Sequence, residues 1–234
     1  MSARPDPAGA IPGWYGKLAG LGDFAHRRLP PEFVHACDAW LASAMRHAGE
    51  ALGERWLQVY LRGPLLRFGW APGVVDARWW FGLLMPSCDS VGRYFPLLIA
   101  QAREQAPRDR IALDHLERWL AHLADAAMQT LQGGLASIDL LEAALQEAPH
   151  WPTPGRASTL HSGRTADSEH HCLGRGAPLS HWLHAIAMHD FAGRLDGRTV
   201  WWRVTPEGSE DALDILHGLP DGVGFAELLM GMRA

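Results

Sequence analysis

The chain has 234 residues, 47% of them hydrophobic and 20% charged, an ordinary globular composition long enough to bury a substantial core. A net charge of −5 and a pI near 6.2 argue against nonspecific nucleic-acid binding, which needs a basic surface to displace counterions from phosphates. Three widely spaced cysteines (Cys37, Cys88 and Cys172) make no CxxC pair or disulfide framework, Met1–Pro12 holds no signal-peptide core, and no run approaches the roughly 18 apolar residues that span a bilayer; the expected location is the cytoplasm, without membrane insertion.

Residues 1–12 carry Pro5, Pro7, Gly9 and Pro12 and are expected to form a disordered tail, leaving 13–234 as a single domain. Trp14–Leu18 predicts a short strand, followed by a glycine-rich turn over Gly20–Asp23. Pro31 near the first position and Glu32 in the first turn predict a helix. Its stripe of Phe33, Cys37, Trp40, Leu41, Ala44 and Ala48 should pack on a sheet.

Residues 54–100 are the most strand-like part of the chain. Leu66, Phe68 and Trp70 alternate with Arg67 and Gly69, as in a half-buried strand, and Phe95–Ile99 is a further apolar run. Trp79–Met85 is continuously apolar and suits a central strand covered on both faces. Pro72-Gly73 and Pro86-Ser87 break these runs, and the short connections favour antiparallel pairing.

Leu113, Leu116, Leu120, Leu123, Ala127 and Leu131 form one helical stripe over 111–131, stopped at Gly133-Gly134. A second helix is expected over Ile138–Glu147, with Ser137 as N-cap. Residues 149–178 read as a long polar surface excursion. Trp182–Met188 is read as helical, Thr199–Val204 as a strand and Phe225–Met232 as an amphipathic closing helix. Strands, then helices, then a late strand predict an α+β fold: a largely antiparallel central sheet covered by helices, a layered α/β sandwich.

Two loops set polar residues tightly between bulky apolar ones: Gly13-Trp14-Tyr15-Gly16-Lys17-Leu18 with Gly20-Leu21-Gly22-Asp23-Phe24, and the stretch Pro86–Pro96. Such loops suit binding, because a rigid scaffold fixes polar groups at its rim. The candidate partner-binding residues are Lys17, Asp23, Ser87, Asp89, Arg93 and Tyr94. Asp89 and Arg93, four apart, either pair to pin the loop or present charge to a partner. Asp23 is expected to cap a turn or accept from nearby amides, and Lys17 to remain solvated at a strand edge.

Catalytic and metal signals are weak. Gly20-Leu21-Gly22 lacks the third glycine of a dinucleotide fingerprint, and no Walker lysine pattern occurs. Ser87 has no nucleophile-elbow context and Cys88 no nucleophile signature, so no catalytic residue and no cofactor are expected. His161, His170, His171, Cys172, His181 and His184 are competent zinc ligands, but their spacing fits no structural finger, and a His-rich loop is the simpler reading. In the pairs Trp79-Trp80 and Trp201-Trp202, one ring of each is expected in the core and the other beneath a helix or on a surface patch.

The GWYGKL start, the following GDF, the PSxDxVGRYFP segment and Val200-Trp201-Trp202 resemble, in order and spacing, the hallmarks of the TagF (ImpM) family of type VI secretion. The resemblance runs from about residue 13 to the closing helix. Ala19 stands where the family often has proline and Cys88 where it usually has an aliphatic residue; both bear on local turn geometry. The resemblance implies a cytoplasmic regulator, in several systems a repressor, that acts post-translationally and without turnover. It also implies association with the forkhead-associated scaffold protein Fha or other type VI components. The rival reading is a hydrolase or phosphoryl-transfer enzyme using Asp23, Ser87 and Asp89, which requires those groups to meet around a cleft.

Overall fold

The structure, a computed structural model, describes residues 11–132, 137–149, 161–164, 169–172, 179–203 and 212–231. Its strands are β1 (Gly13–Gly16), β2 (Ala25–Arg27), β3 (Leu66–Trp70), β4 (Trp79–Met85), β5 (Leu97–Arg103), β6 (His161–Arg164), β7 (Glu169–Cys172), β8 (Arg198–Arg203) and β9 (Leu213–His217). Its helices are α1 (Pro31–Leu52), α2 (Trp56–Arg62), α3 (Arg110–Gln129), α4 (Ser137–Gln146), α5 (Leu179–Gly193) and α6 (Gly222–Met230). Seven strands form one sheet in the order β2-β1-β5-β4-β3-β8-β9, every neighbouring pair antiparallel. The strands β6 and β7 pair separately as a hairpin. This is the α+β sandwich that the order of elements predicts.

The middle strand is β4, and each of its seven residues is buried. Side chains alternate across a strand, so one apolar run feeds two cores. Trp79, Phe81, Leu83 and Met85 join Leu116, Trp119, Leu120 and Leu123 of α3 and Leu141 and Leu145 of α4 on one face. Trp80 and Leu84 join Phe33, Cys37 and Leu41 of α1 and Phe225 and Leu229 of α6 on the other. Both tryptophans of the Trp79-Trp80 pair are therefore core, each beneath helices, the first of the two places expected for the second ring. Glycines make room for rings across the β3–β4 ladder: Gly69 faces Phe81 and Gly82 faces Phe68. A Cβ on Gly69 would come 3.1 Å from the Phe81 ring, and one on Gly82 would come 2.9 Å from the Phe68 ring.

Local signals set three helix ends. The Asp109 side chain caps α3 by accepting from the Ala112 amide at 2.8 Å, and Asp221 caps α6 by accepting from the Gly224 amide at 2.8 Å. That second cap starts α6 at Gly222, three residues before the expected Phe225. Gly231 ends the helix in the left-handed region, at φ +74.

The sequence reading departs from the fold in four places. Within the strand-like segment 54–100, residues 56–62 are helical; α2 buries Tyr60 and leaves Leu57 and Leu61 exposed. Strand β3 is covered more completely than a half-buried strand, with Gly69 buried as well as Leu66, Phe68 and Trp70. Leu131, the last residue of the α3 stripe, follows the helix in a 3-10 turn and is exposed. The strands β2, β6, β7 and β9 were not expected: β2 has three residues, and β9 is an edge strand with Leu213 and Ile215 exposed. The Gly133-Gly134 stop lies outside the described residues, as does most of the polar excursion.

Position within this layering should decide mutational cost. Leu83→Ala on β4 is expected to lose about 2–5 kcal/mol, by lost burial and a residual cavity. Leu131→Ala should stay within about 0.5 kcal/mol of wild type. Urea unfolding of the two variants checks the contrast.

Candidate functional site: two clasped loops

Both motif loops leave the same end of the sheet. The first follows β1, and the second, Pro86–Pro96, joins β4 to β5. Register sets Gly16 opposite Leu97, beside the end of the second loop. Gly16 has φ +135, and a Cβ there would strike the Pro96 carbonyl oxygen, so only glycine fits. This close approach brings the two loops together.

At the centre lies Asp89, whose side chain is 0% exposed. Its Oδ2 accepts from Lys17 Nζ at 2.6 Å and from Arg93 Nε at 2.6 Å. Its Oδ1 accepts from the amides of Arg93 at 2.8 Å and Val91 at 3.1 Å. Burial opposes ionisation of this carboxyl. The Lys17 hydrogen bond, then the Arg93 amide and guanidinium, outweigh it and hold Asp89 well below the usual carboxylate range. Lys17 is itself 4% exposed, not solvated as expected, because the ammonium has an anion inside the loop and the Phe24 ring 4.6 Å away.

Further bonds close the clasp. The Ser87 hydroxyl donates to the Lys17 carbonyl at 2.8 Å, and the Ser90 amide donates to the Leu21 carbonyl at 2.9 Å. Arg93 Nη2 donates to the Gly22 carbonyl. The Tyr60 hydroxyl of α2 donates to the Ser87 carbonyl at 2.9 Å and accepts from the Ser87 amide at 3.0 Å. Burial raises the Tyr60 phenol far above its ordinary value, keeping it a donor at neutral pH. Gly92, at φ +81, turns the loop so that the Arg93 carbonyl accepts from the Asp89 amide at 3.0 Å.

The six candidate residues thus divide. Lys17, Ser87 and Asp89 are buried and bonded to one another's loops. Asp23, Arg93 and Tyr94 are exposed. Asp23 accepts from the adjacent Phe24 amide at 2.8 Å, the local role expected of it. The Asp89–Arg93 ion pair, also anticipated, is present at 2.6 Å. Exposed Phe24, Val91 and Tyr94 add apolar surface beside the charges.

A second buried carboxylate was not visible in the sequence. Glu142 of α4 accepts from Trp14 Nε1 at 2.5 Å and takes a bidentate fork from Arg28, at 2.6 and 2.9 Å. Arg28 sits at φ +60 and also donates to the Pro12 carbonyl at 3.0 Å. Burial opposes the charge on Glu142, but the Arg28 and Trp14 bonds lower its pKa. Arg28 and Glu142 are 114 positions apart, and no local pattern joins them.

For catalysis, Ser87 and Asp89 are committed to loop bonds, and among the described residues no hydrogen bond joins Asp23 to either. For metal, no group of three or more His, Cys, Asp or Glu among the described residues could hold an ion. His161 stands opposite Cys172 in the hairpin register; the side chains of His161, His170, His171, Cys172 and His181 lie outside the described part.

The sign of the Asp89 and Glu142 shifts predicts acid sensitivity. Each carboxyl is held below its unfolded value, so its stabilisation is complete above an ordinary carboxylate pKa of about 4 and is lost as pH falls through that range. Melting temperature measured between neutral and acid pH should fall below that value. Asp89→Asn and Glu142→Gln should each melt lower at pH 7 and show a shallower acid limb. Lys17→Met should melt lower than Arg93→Ala, because the ammonium is buried while the Arg93 side chain is 55% exposed.

The comparisons with known proteins agree with this geometry. The model of the TagF N-terminal domain, type VI secretion system-associated, matches residues 13–148, which contain both loops, the sheet centre and Glu142. The crystal structure of PA0076 from Pseudomonas aeruginosa PAO1 is similar, at 34% identity and a TM-score of 0.75, over 95% of this chain and 96% of that one. No curated protein matches the chain. The family match over more than half of the sequence, with a structural relative along nearly all of it, places this chain in the TagF family of type VI secretion-associated proteins.

Proposed function

We propose that the protein is a cytoplasmic regulator that represses type VI secretion post-translationally, by binding a scaffold component such as the forkhead-associated protein Fha. The acting unit is the single domain of residues 13–234. Contact is made by the exposed side of the clasped loops, through Asp23, Arg93 and Tyr94. Lys17, Ser87 and Asp89 hold that surface in shape from beneath.

The observation that carries this reading is the asymmetry of the clasp. A saturated buried anion fixes two loops, and those loops present Phe24, Val91 and Tyr94 to solvent beside a half-free guanidinium. Pre-fixed loops lose little entropy on binding, and aromatic and Arg side chains are the commonest anchors of protein interfaces. Family membership supplies the secretion context. No helix among the described residues is long and apolar enough to cross a membrane.

Turnover by Asp23, Ser87 and Asp89 has less support. The Ser87 hydroxyl donates to the Lys17 carbonyl, and the Asp89 carboxylate accepts four hydrogen bonds, which leaves neither group ready to act on a substrate.

The test separates the surface from its support. Asp23→Lys combined with Tyr94→Ala changes exposed side chains only, and should cut capture of Fha in a pull-down by about tenfold or more while melting stays unchanged. Undiminished capture by this folded variant would sink the proposed surface. Asp89→Ala with Arg93→Ala should lower both melting and capture, since it releases the loops.

A further inference from the structure

Between α3, α5 and the sheet, along the face of β3 and β4 that α3 covers, lies a solvent-open cavity of about 890 Å3. That volume matches sites that enclose one small organic molecule. Trp79 and Phe81 of β4, Trp202 of β8 and Phe191 of α5 supply apolar walls, with the Phe81 ring lying over Gly69 of β3.

The cavity wall also carries an arginine with no carboxylate partner among the described residues. Arg67 projects from β3 into the cavity, in register with Trp202 on one side and Leu83 on the other. The Arg67 Nε is buried without a hydrogen-bond partner, and among the described residues no carboxylate pairs with its guanidinium. His184 of α5 also lines the cavity, and its Nε2 is likewise buried without a partner. The acids that reach the cavity, Asp114 and Glu117, occupy exposed positions on α3, and Asp114 faces Arg110 at 3.9 Å. The buried Arg67 Nε lacks an acceptor, and a planar carboxylate entering the cavity would supply that acceptor together with a matching charge for the half-buried guanidinium.

We propose that this cavity is a binding site for a small molecule with an apolar body and one carboxylate, the carboxylate held by Arg67 with His184 beside it and the body lying against Trp79, Phe81 and Trp202. Two kinds of molecule share this chemistry, acyl-chain acids and aromatic acids, and the probes distinguish them.

Decanoate, 2-naphthoate and uncharged decanol are titrated into the full chain, read by calorimetry and by quenching of tryptophan fluorescence. At least one acid should bind saturably, one per chain, and raise the melting temperature, whereas decanol binds more weakly. Decanoate as the better probe assigns an acyl chain, and naphthoate an aromatic body. Arg67→Met keeps the stem of the side chain and removes the charge; it should weaken the acid about tenfold and leave decanol unchanged. Ala192→Trp, on the cavity wall, should block all three probes. The proposal is overturned if neither acid binds wild-type protein saturably, or if decanol binds as well as the acids. It is equally overturned if folded Arg67→Met binds the acids as wild type does. Should Arg67→Met fail to fold, the acid-against-alcohol comparison on wild type and the Ala192→Trp block decide the matter.

Discussion

Burial of β4 on both faces is the constraint from which the architecture follows. Seven consecutive apolar residues cannot be covered by one layer, because alternate side chains point in opposite directions. The chain therefore needs helices on both sides: α3 and α4 close one core, and α1 and α6 close the other. The order β1-β5-β4-β3-β8 sets strands from both halves of the sequence around that axis. Gly69 and Gly82 belong to the same solution: a Cβ on Gly69 would crowd the Phe81 ring, and one on Gly82 would strike the Ile99 carbonyl oxygen at 2.0 Å as well as the Phe68 ring.

The clasp and the cavity face of the sheet have opposite electrostatic character. After Met85 the chain enters the clasp, where one buried carboxylate is matched by an ammonium, a guanidinium and two amides. Beside Leu83, on the face that α3 covers, β3 carries Arg67, a guanidinium with no carboxylate partner among the described residues. The first arrangement is satisfied and rigid, and suits a surface that must keep its shape. The second is unsatisfied, and suits a place where something else completes it. A buried charge matters more for the penalty it imposes when alone than for the stability it adds when paired.

The clasp also explains why its motif combines such different residues. Gly16 is required by the Pro96 carbonyl, Ser87 by the Lys17 carbonyl, Asp89 by four donors and Gly92 by a left-handed turn. Most of the motif is thus concerned with joining two loops. Glu142 performs a parallel task from α4, tying Arg28 and Trp14 to the helical layer. Replacing Asp89 would leave the buried Lys17 ammonium stranded, and replacing Glu142 would leave Trp14 Nε1 without its acceptor.

By itself the sequence determined the α+β class, the antiparallel sheet, the central place of Trp79–Met85 and the faces of α1 and α3, because periodicity and turn chemistry are local. It also carried the family resemblance and the Asp89–Arg93 pair, whose members lie four apart. The helical state of 56–62 and the full burial of β3 depend on which layers cover them, which is not a local property. The edge strands β2 and β9 were illegible because short, half-polar segments become strands only when a neighbour supplies the ladder. Only the tertiary structure decided that Lys17 is buried, 72 positions from its anion, that Glu142 meets Arg28, and that Arg67 faces a cavity with no carboxylate partner among the described residues. Each of these depends on two distant segments meeting, and no spacing within one segment encodes the charge that the other brings.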